Sequence, residues 1–147
     1  MKAFLVAGSE VQMADGSTKK IEEVVIGDQV LSNDLLANAH KVSTVESLDN
    51  ASFLKNDIKV VTLSNGREIV MSTSTKLFIK DKGAVEVSNL VVGDVTIDVD
   101  GSENSVTSIS EIDEAHGLFE DTACGLLSVG GSTDVENLYL ETILIFN

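Results

Sequence analysis

Ile21-Glu22-Glu23-Val24-Val25-Ile26-Gly27-Asp28-Gln29-Val30-Leu31 recurs as Val87-Ser88-Asn89-Leu90-Val91-Val92-Gly93-Asp94-Val95-Thr96-Ile97, shifted by 66 residues without a gap. Each copy reads as a turn, three consecutive apolar residues, Gly-Asp and the start of a strand. The same shift lays Ile58, Val60, Val61, Thr62, Leu63, Ser64 and Asn65 on Cys124, Leu126, Leu127, Ser128, Val129, Gly130 and Gly131. A single duplication in a chain of 147 residues predicts two similar halves, roughly 9–74 and 75–140, facing each other across a pseudo-two-fold axis in one domain over 1–147.

Around this repeat the chain reads as all-β. Glycines and polar clusters punctuate short runs rich in Val, Ile, Leu and Thr, the pattern of many strands joined by tight turns. Ile58–Leu63 and Glu68–Met71 flank Ser64-Asn65-Gly66-Arg67, an Asn-Gly hairpin signal. Register preserved by the repeat places a matching hairpin turn at Gly130-Gly131. Helix evidence reduces to single turns in 17–24 and 86–90. The segments 33–56 and 111–122 read as acidic solvated loops or as loops that reach a partner.

Composition narrows the function. Ten basic against twenty-four acidic residues give a net charge of −14, so a phosphate backbone or an anionic bilayer is repelled, and neither nucleic acid nor a membrane is the expected partner. No apolar run approaches the roughly 20 residues needed to span a bilayer. The opening Met1-Lys2-Ala3-Phe4-Leu5-Val6-Ala7-Gly8 is too short for an export signal; a soluble protein, cytoplasmic unless carried in a particle, is expected. One cysteine, Cys124, with His40 and His116 supplies no zinc set, and no cofactor is expected.

The stretch Gly8-Ser9-Glu10-Val11-Gln12-Met13-Ala14-Asp15-Gly16 through Ile26-Gly27-Asp28 and Leu31-Ser32 resembles the N-terminal block of the Hint family, the hedgehog and intein autoprocessing domains. Val85–Asp94 is similar to the stretch after the family's second catalytic block, and Glu136–Asn147 to its C-terminal block, which ends in His-Asn. The resemblance covers nearly the whole chain and implies a flattened, horseshoe-like all-β fold that brings the chain ends together. It also implies where splicing chemistry would sit. The family register places Phe4 at the position of the Cys or Ser that attacks the preceding carbonyl, and a phenyl ring carries no attacking atom. Ser72-Thr73-Ser74-Thr75 occupies the block that normally reads Thr-x-x-His, so Thr75 replaces the imidazole that hands a proton to the leaving amine. Phe146 stands for the penultimate histidine. Asn147 is retained, and the chain as given supplies neither flanking segment.

The resemblance therefore implies a catalytically inactive, stand-alone Hint-like domain used as a structural or binding module, with a protein partner or a second copy as the expected contact. Because inteins are frequent in phage genes, it extends to a virion component, a capsid decoration or tail-associated protein. The alternative is an autoprocessing or splicing relative in inactivated form; a third is an acidic adaptor that mimics nucleic acid. An edge strand near one chain terminus is the expected contact.

The remaining chemistry-bearing residues have plainer readings. Cys124 aligns with the strand residue Ile58 and reads as core. His40 and His116 read as surface residues. Ser9 and Ser72 read as structural hydroxyls lining the old cleft. Asp94, Asp98, Asp100 and Glu103 lack EF-hand spacing, because Gly101 directly follows Asp100, and no metal site is expected.

Overall fold

A computed structural model describes residues 3–113, 123–131, 137–141 and 143–146. Among the described residues, fourteen strands form one open sheet: β1 (Leu5–Val6), β2 (Glu10–Gln12), β3 (Thr18–Lys20), β4 (Gln29–Asp34), β5 (Ala39–Leu54), β6 (Ile58–Leu63), β7 (Glu68–Ser72), β8 (Lys76–Ile79), β9 (Gly83–Glu86), β10 (Val95–Ile97), β11 (Glu103–Glu111), β12 (Ala123–Gly131), β13 (Asn137–Leu140) and β14 (Ile143–Phe146). The order is β3-β2-β13-β14-β8-β10-β11-β6-β7-β1-β12-β5-β4, with β9 on β8. The hairpin expected at Ile58–Met71 is β6–β7, with Val60 opposite Val70. The two expected single helical turns are short 3₁₀ turns at Ile21–Glu23 and Val87–Asn89.

The halves repeat each other down to single hydrogen bonds. The amide of Ile21 donates to the carbonyl of Ser9 and that of Val87 to Thr75, both at 2.8 Å. Ala14 N–H meets the carbonyl of Gln29 as Lys80 N–H meets that of Val95. Gly27 and Gly93 both turn at positive φ, +96° and +101°, a conformation a β-carbon opposes. Only the first of the three apolar residues before each is buried: Val24 and Leu90 enter the core, while Val25, Ile26, Val91 and Val92 are exposed. The axis runs through the β1–β7 contact, where Leu5 pairs with Met71, its own counterpart at the 66-residue shift.

The repeat is not gapless, however. Gly27 and Asp28 bond Val45, while Gly93 and Asp94 bond Val106, so the offset falls from 66 to 61 where the β4–β5 hairpin is longer. Two further expectations are corrected. The segment 33–56 is largely the sixteen-residue strand β5; its polar residues alternate with inward-facing Ser43 and Val45 and take their partners from β4 and β12. Of the second expected loop, residues 114–122 lie outside the described residues. Gly130-Gly131 is no turn but the end of β12, beside an irregularity in its pairing with β5; a β-carbon at Gly130 would lie 2.2 Å from Ser47 Oγ. The terminal strands β1 and β14 are interior, and the ends of the sheet are β3 and β4. β3 carries Lys19 and Lys20, charges that discourage edge pairing.

Strands cross between halves. β6 of the first half pairs with β11 of the second, and β12 of the second with β5 of the first. The main core gathers both halves around Leu5, Val61, Leu63, Met71, Leu77, Ile79, Leu138 and Ile145. A second cluster holds Ile58, Val60, Val70, Ile112, Cys124 and Leu126, with Phe4, Val6 and Phe53 against it.

Candidate functional site

The peptide between Ala3 and Phe4 enters the sheet just ahead of β1 and meets the turn between β7 and β8. Phe4 N–H donates to Thr75 Oγ1 at 3.1 Å, and the Phe4 carbonyl accepts from Ser72 N–H at 3.0 Å. Thr75 Oγ1 also lies 2.8 Å from Ser72 Oγ, which lies 3.1 Å from Ser74 Oγ. Three hydroxyls thus form a chain that ends on one backbone amide. Thr75 is held there because its carbonyl accepts from Val87 N–H and its N–H donates to Ser72; Ser72 and Thr75 are fully buried. A hydroxyl accepts and donates hydrogen bonds, but it takes no charge near neutral pH.

The Phe4 side chain points away from this chemistry into the second cluster, its ring 5.1 Å from that of Phe53. At the other end, Phe146 pairs in register with Lys76, the residue after Thr75. Its ring lies 6.1 Å from Phe78, on the face that Lys76 and Phe78 share, opposite Leu77. The structure therefore brings the backbones of Phe4, Thr75 and Phe146 to neighbouring positions while the two phenyl rings pack elsewhere. Asn147 lies outside the described residues.

Cys124 is buried beside Ile58, its counterpart in the repeat, and burial pushes its thiol pKa up, which disfavours the thiolate. Ser9 is buried and occupies Thr75's place in the other half. His40 is exposed but stacks edge-on against Tyr139 at 5.4 Å; His116 lies outside the described residues. The four acidic residues weighed for a metal have diverging surroundings. Burial raises the Asp94 carboxyl, but Lys82 at 2.5 Å and the Val91 amide outweigh it and hold it below the usual carboxylate range. Asp100 accepts from Ser102 N–H, and Glu103 pairs with Lys80. Among the described residues no three His, Cys, Asp or Glu side chains are grouped to hold a metal ion, and no helix is long and apolar enough to cross a membrane.

One partly buried acid escaped the sequence reading. Glu141, in the β13–β14 turn at φ +52°, accepts from Glu10 N–H at 2.8 Å and pairs with Arg67 of the β6–β7 turn. Burial raises its carboxyl despite both partners. It ties the C-terminal hairpin to two elements of the first half, β2 and the β6–β7 turn, and nothing in its local spacing signals that.

No protein-family model and no curated protein matches the chain. Solved structures do. The gp41-1 intein superposes with a TM-score of 0.77 at 21% identity, covering 100% of both chains. A bacterial intein-like domain from Clostridium thermocellum gives 0.80 at 23%, covering 100% of this chain and 99% of its own. A DnaB intein from Synechocystis sp. PCC 6803 gives 0.79 at 12%, covering 98% and 97%. With its open antiparallel sheet and duplicated halves, this chain has the Hint fold of the inteins.

Proposed function

We propose that this chain is a Hint scaffold that neither splices nor cleaves itself and that works by binding, as a structural or adaptor module; a virion component is the setting that the intein resemblance suggests. Phe4, Thr75 and Phe146 take the positions of nucleophile, proton donor and penultimate histidine. The observation that carries the reading is the partner of the Phe4 amide. Expelling an amine from a peptide bond requires a proton delivered at the nitrogen, and the side chain bonded at that nitrogen is a hydroxyl joined to two more hydroxyls. Attack on the Ala3 carbonyl would have to come from residue 4, whose ring is packed against Phe53. Nucleophile and proton donor act as a unit, so losing both leaves no partial activity to build on.

The test places the chain between two reporter segments and follows the products by mass spectrometry. The expected result is a single intact mass. Ligated reporters, or cleavage before Phe4 or after Asn147 faster than spontaneous asparagine chemistry, overturns the reading. The triple variant F4C/T75H/F146H is the counterpart: the Thr75–Phe4 contact supports the alternative of a splicing relative in inactivated form, for which this variant should recover N-terminal cleavage.

A further inference from the structure

β4 covers only the first part of β5. Its register runs from Asp34 opposite Ala39 to Gln29 opposite Thr44, and the Gly27-Asp28 turn adds one more bonded residue, Val45. From Leu48 to Leu54, β5 pairs with β12 alone among the described strands. Neighbouring bonds fix which way its backbone points. Ser72 N–H donates to the Phe4 carbonyl, so Phe4 faces β7 and Leu5, next in line, faces β12. Leu5 sits opposite Leu127, which therefore turns its N–H and C=O to β1, while Leu126 and Ser128 on either side turn theirs to β5. These two oppose Ala51 and Asp49. The amides and carbonyls of Leu48, Asn50, Ser52 and Leu54 thus point away from β12, along an edge that no described strand or turn bonds.

Seven residues give about 23 Å of free edge. Edges of this length are ordinarily blunted by lysine, proline or a covering element, as β3 is by Lys19 and Lys20. Residues 47–54 contain no lysine, arginine or proline and a single acid, Asp49. The side chains of Leu48, Asn50, Ser52 and Leu54 are all exposed, the two leucines at 43% and 63%.

This edge is its own complement. Antiparallel pairing about a two-fold axis at Ala51 sets Leu48 against Leu54, Asn50 against Ser52 and Ala51 against Ala51. Each of the four outward-facing residues then exchanges both backbone bonds with another of the same set. Moving the axis one residue either way sets Leu48 or Leu54 against a residue outside that set. Charge agrees with the same register. Each Asp49 opposes Phe53 rather than its own copy, and Lys55 falls diagonal to Asp49 of the second copy, where opposite charges attract. We propose that two copies of this chain join edge to edge through residues 48–54 of β5, as an isologous dimer whose sheet runs on across the axis. The proposal gives the binding role above its partner and rests on that role for its purpose.

The full chain is followed by sedimentation equilibrium at about 0.15 M salt, which screens the repulsion between two acidic copies. A monomer–dimer equilibrium with a dissociation constant on the order of 100 μM is expected, because the contact is small and largely polar. Ser52→Pro removes an N–H that points outward, where an edge strand tolerates the loss. It should weaken dimerisation at least about tenfold and leave the urea midpoint near that of wild type. Ala51→Pro, whose N–H bonds β12, should instead lower that midpoint. Should S52P not fold, N50K/S52K changes only exposed side chains, opposes lysine to lysine across the axis and should abolish the dimer. Under a disulfide oxidant A51C should cross-link through residue 51, since the paired Cα atoms would lie about 4.5 Å apart. V42C, exposed but beside β4, should not. A monomer at every concentration up to about 1 mM, a dimer indifferent to these edge variants, larger assemblies, or cross-linking at residue 42 in place of 51 overturns the proposal. A monomer leaves the splicing assay untouched, and splicing by a dimer would sink only the functional reading, so the two fail separately.

Discussion

The duplication offers a controlled experiment on buried charge, because Asp28 and Asp94 make the same contacts in the same turn in different surroundings. Each accepts from the N–H three residues earlier at 3.0 Å, from Val25 or Val91, and each pairs with a lysine, Lys19 or Lys82. Their side chains are 21% and 4% exposed. In D94A the Val91 amide loses its acceptor where water has little access, whereas Lys82, half exposed, rehydrates. The loss is that of a charge-assisted hydrogen bond, about 2 kcal/mol. D28A breaks the same bonds where water replaces them and should destabilise clearly less. Equilibrium urea unfolding should show D94A with a midpoint lower by about 1 M and an unchanged m-value, and a Tm lower by about 4–8 °C. The pH arm has a definite sign. The folded pKa of Asp94 lies below its ordinary 3.8, so its contribution is full above that value and is lost as pH falls toward the folded pKa. The gap between wild type and D94A should therefore close in acid. A D28A effect equal to or larger than that of D94A, or a D94A effect undiminished at the lowest pH at which both fold, would refute this account.

Leu5→Ala and Met71→Ala each remove a fully buried side chain at the axis and should cost about 2–5 kcal/mol; because the two residues pair, the double mutant should depart from additivity in denaturation. Gly93→Ala forces a β-carbon onto φ +101° and should cost at least about 1 kcal/mol in the same assay, although nothing lies within 4 Å of the added atom. Cys124 should react slowly with a thiol reagent in native buffer and rapidly in urea; fast native labelling would contradict its burial.

The readable parts of this fold are those whose signal is local. Asn65-Gly66 announces the β6–β7 hairpin, and the twin Gly-Asp turns announce the duplication because positive φ and an aspartate cap are requirements of three or four adjacent residues. β5 was not legible. Ser47, Asp49, Asn50 and Ser52 look like a solvated loop until β12, more than sixty residues away, supplies the strand they pair with. Gly130-Gly131 misled for the converse reason: the absence of a side chain answers a close approach by Ser47, not a turn. At the candidate site, the positions of Phe4 and Thr75 came from resemblance, while the bond between them could come only from tertiary structure.

Strand exchange between the halves also bears on how the chain folds. Leu5 pairs with Leu127 and Val11 with Leu140, so β1 and β2, though made first, have no complete set of neighbours until the far end of the polypeptide arrives. Neither repeat can finish its own layer from its own residues. Contacts of such long sequence separation close slowly, and refolding on the millisecond-to-second scale typical of high-contact-order β proteins is the kinetic price of interlocking two copies of one motif.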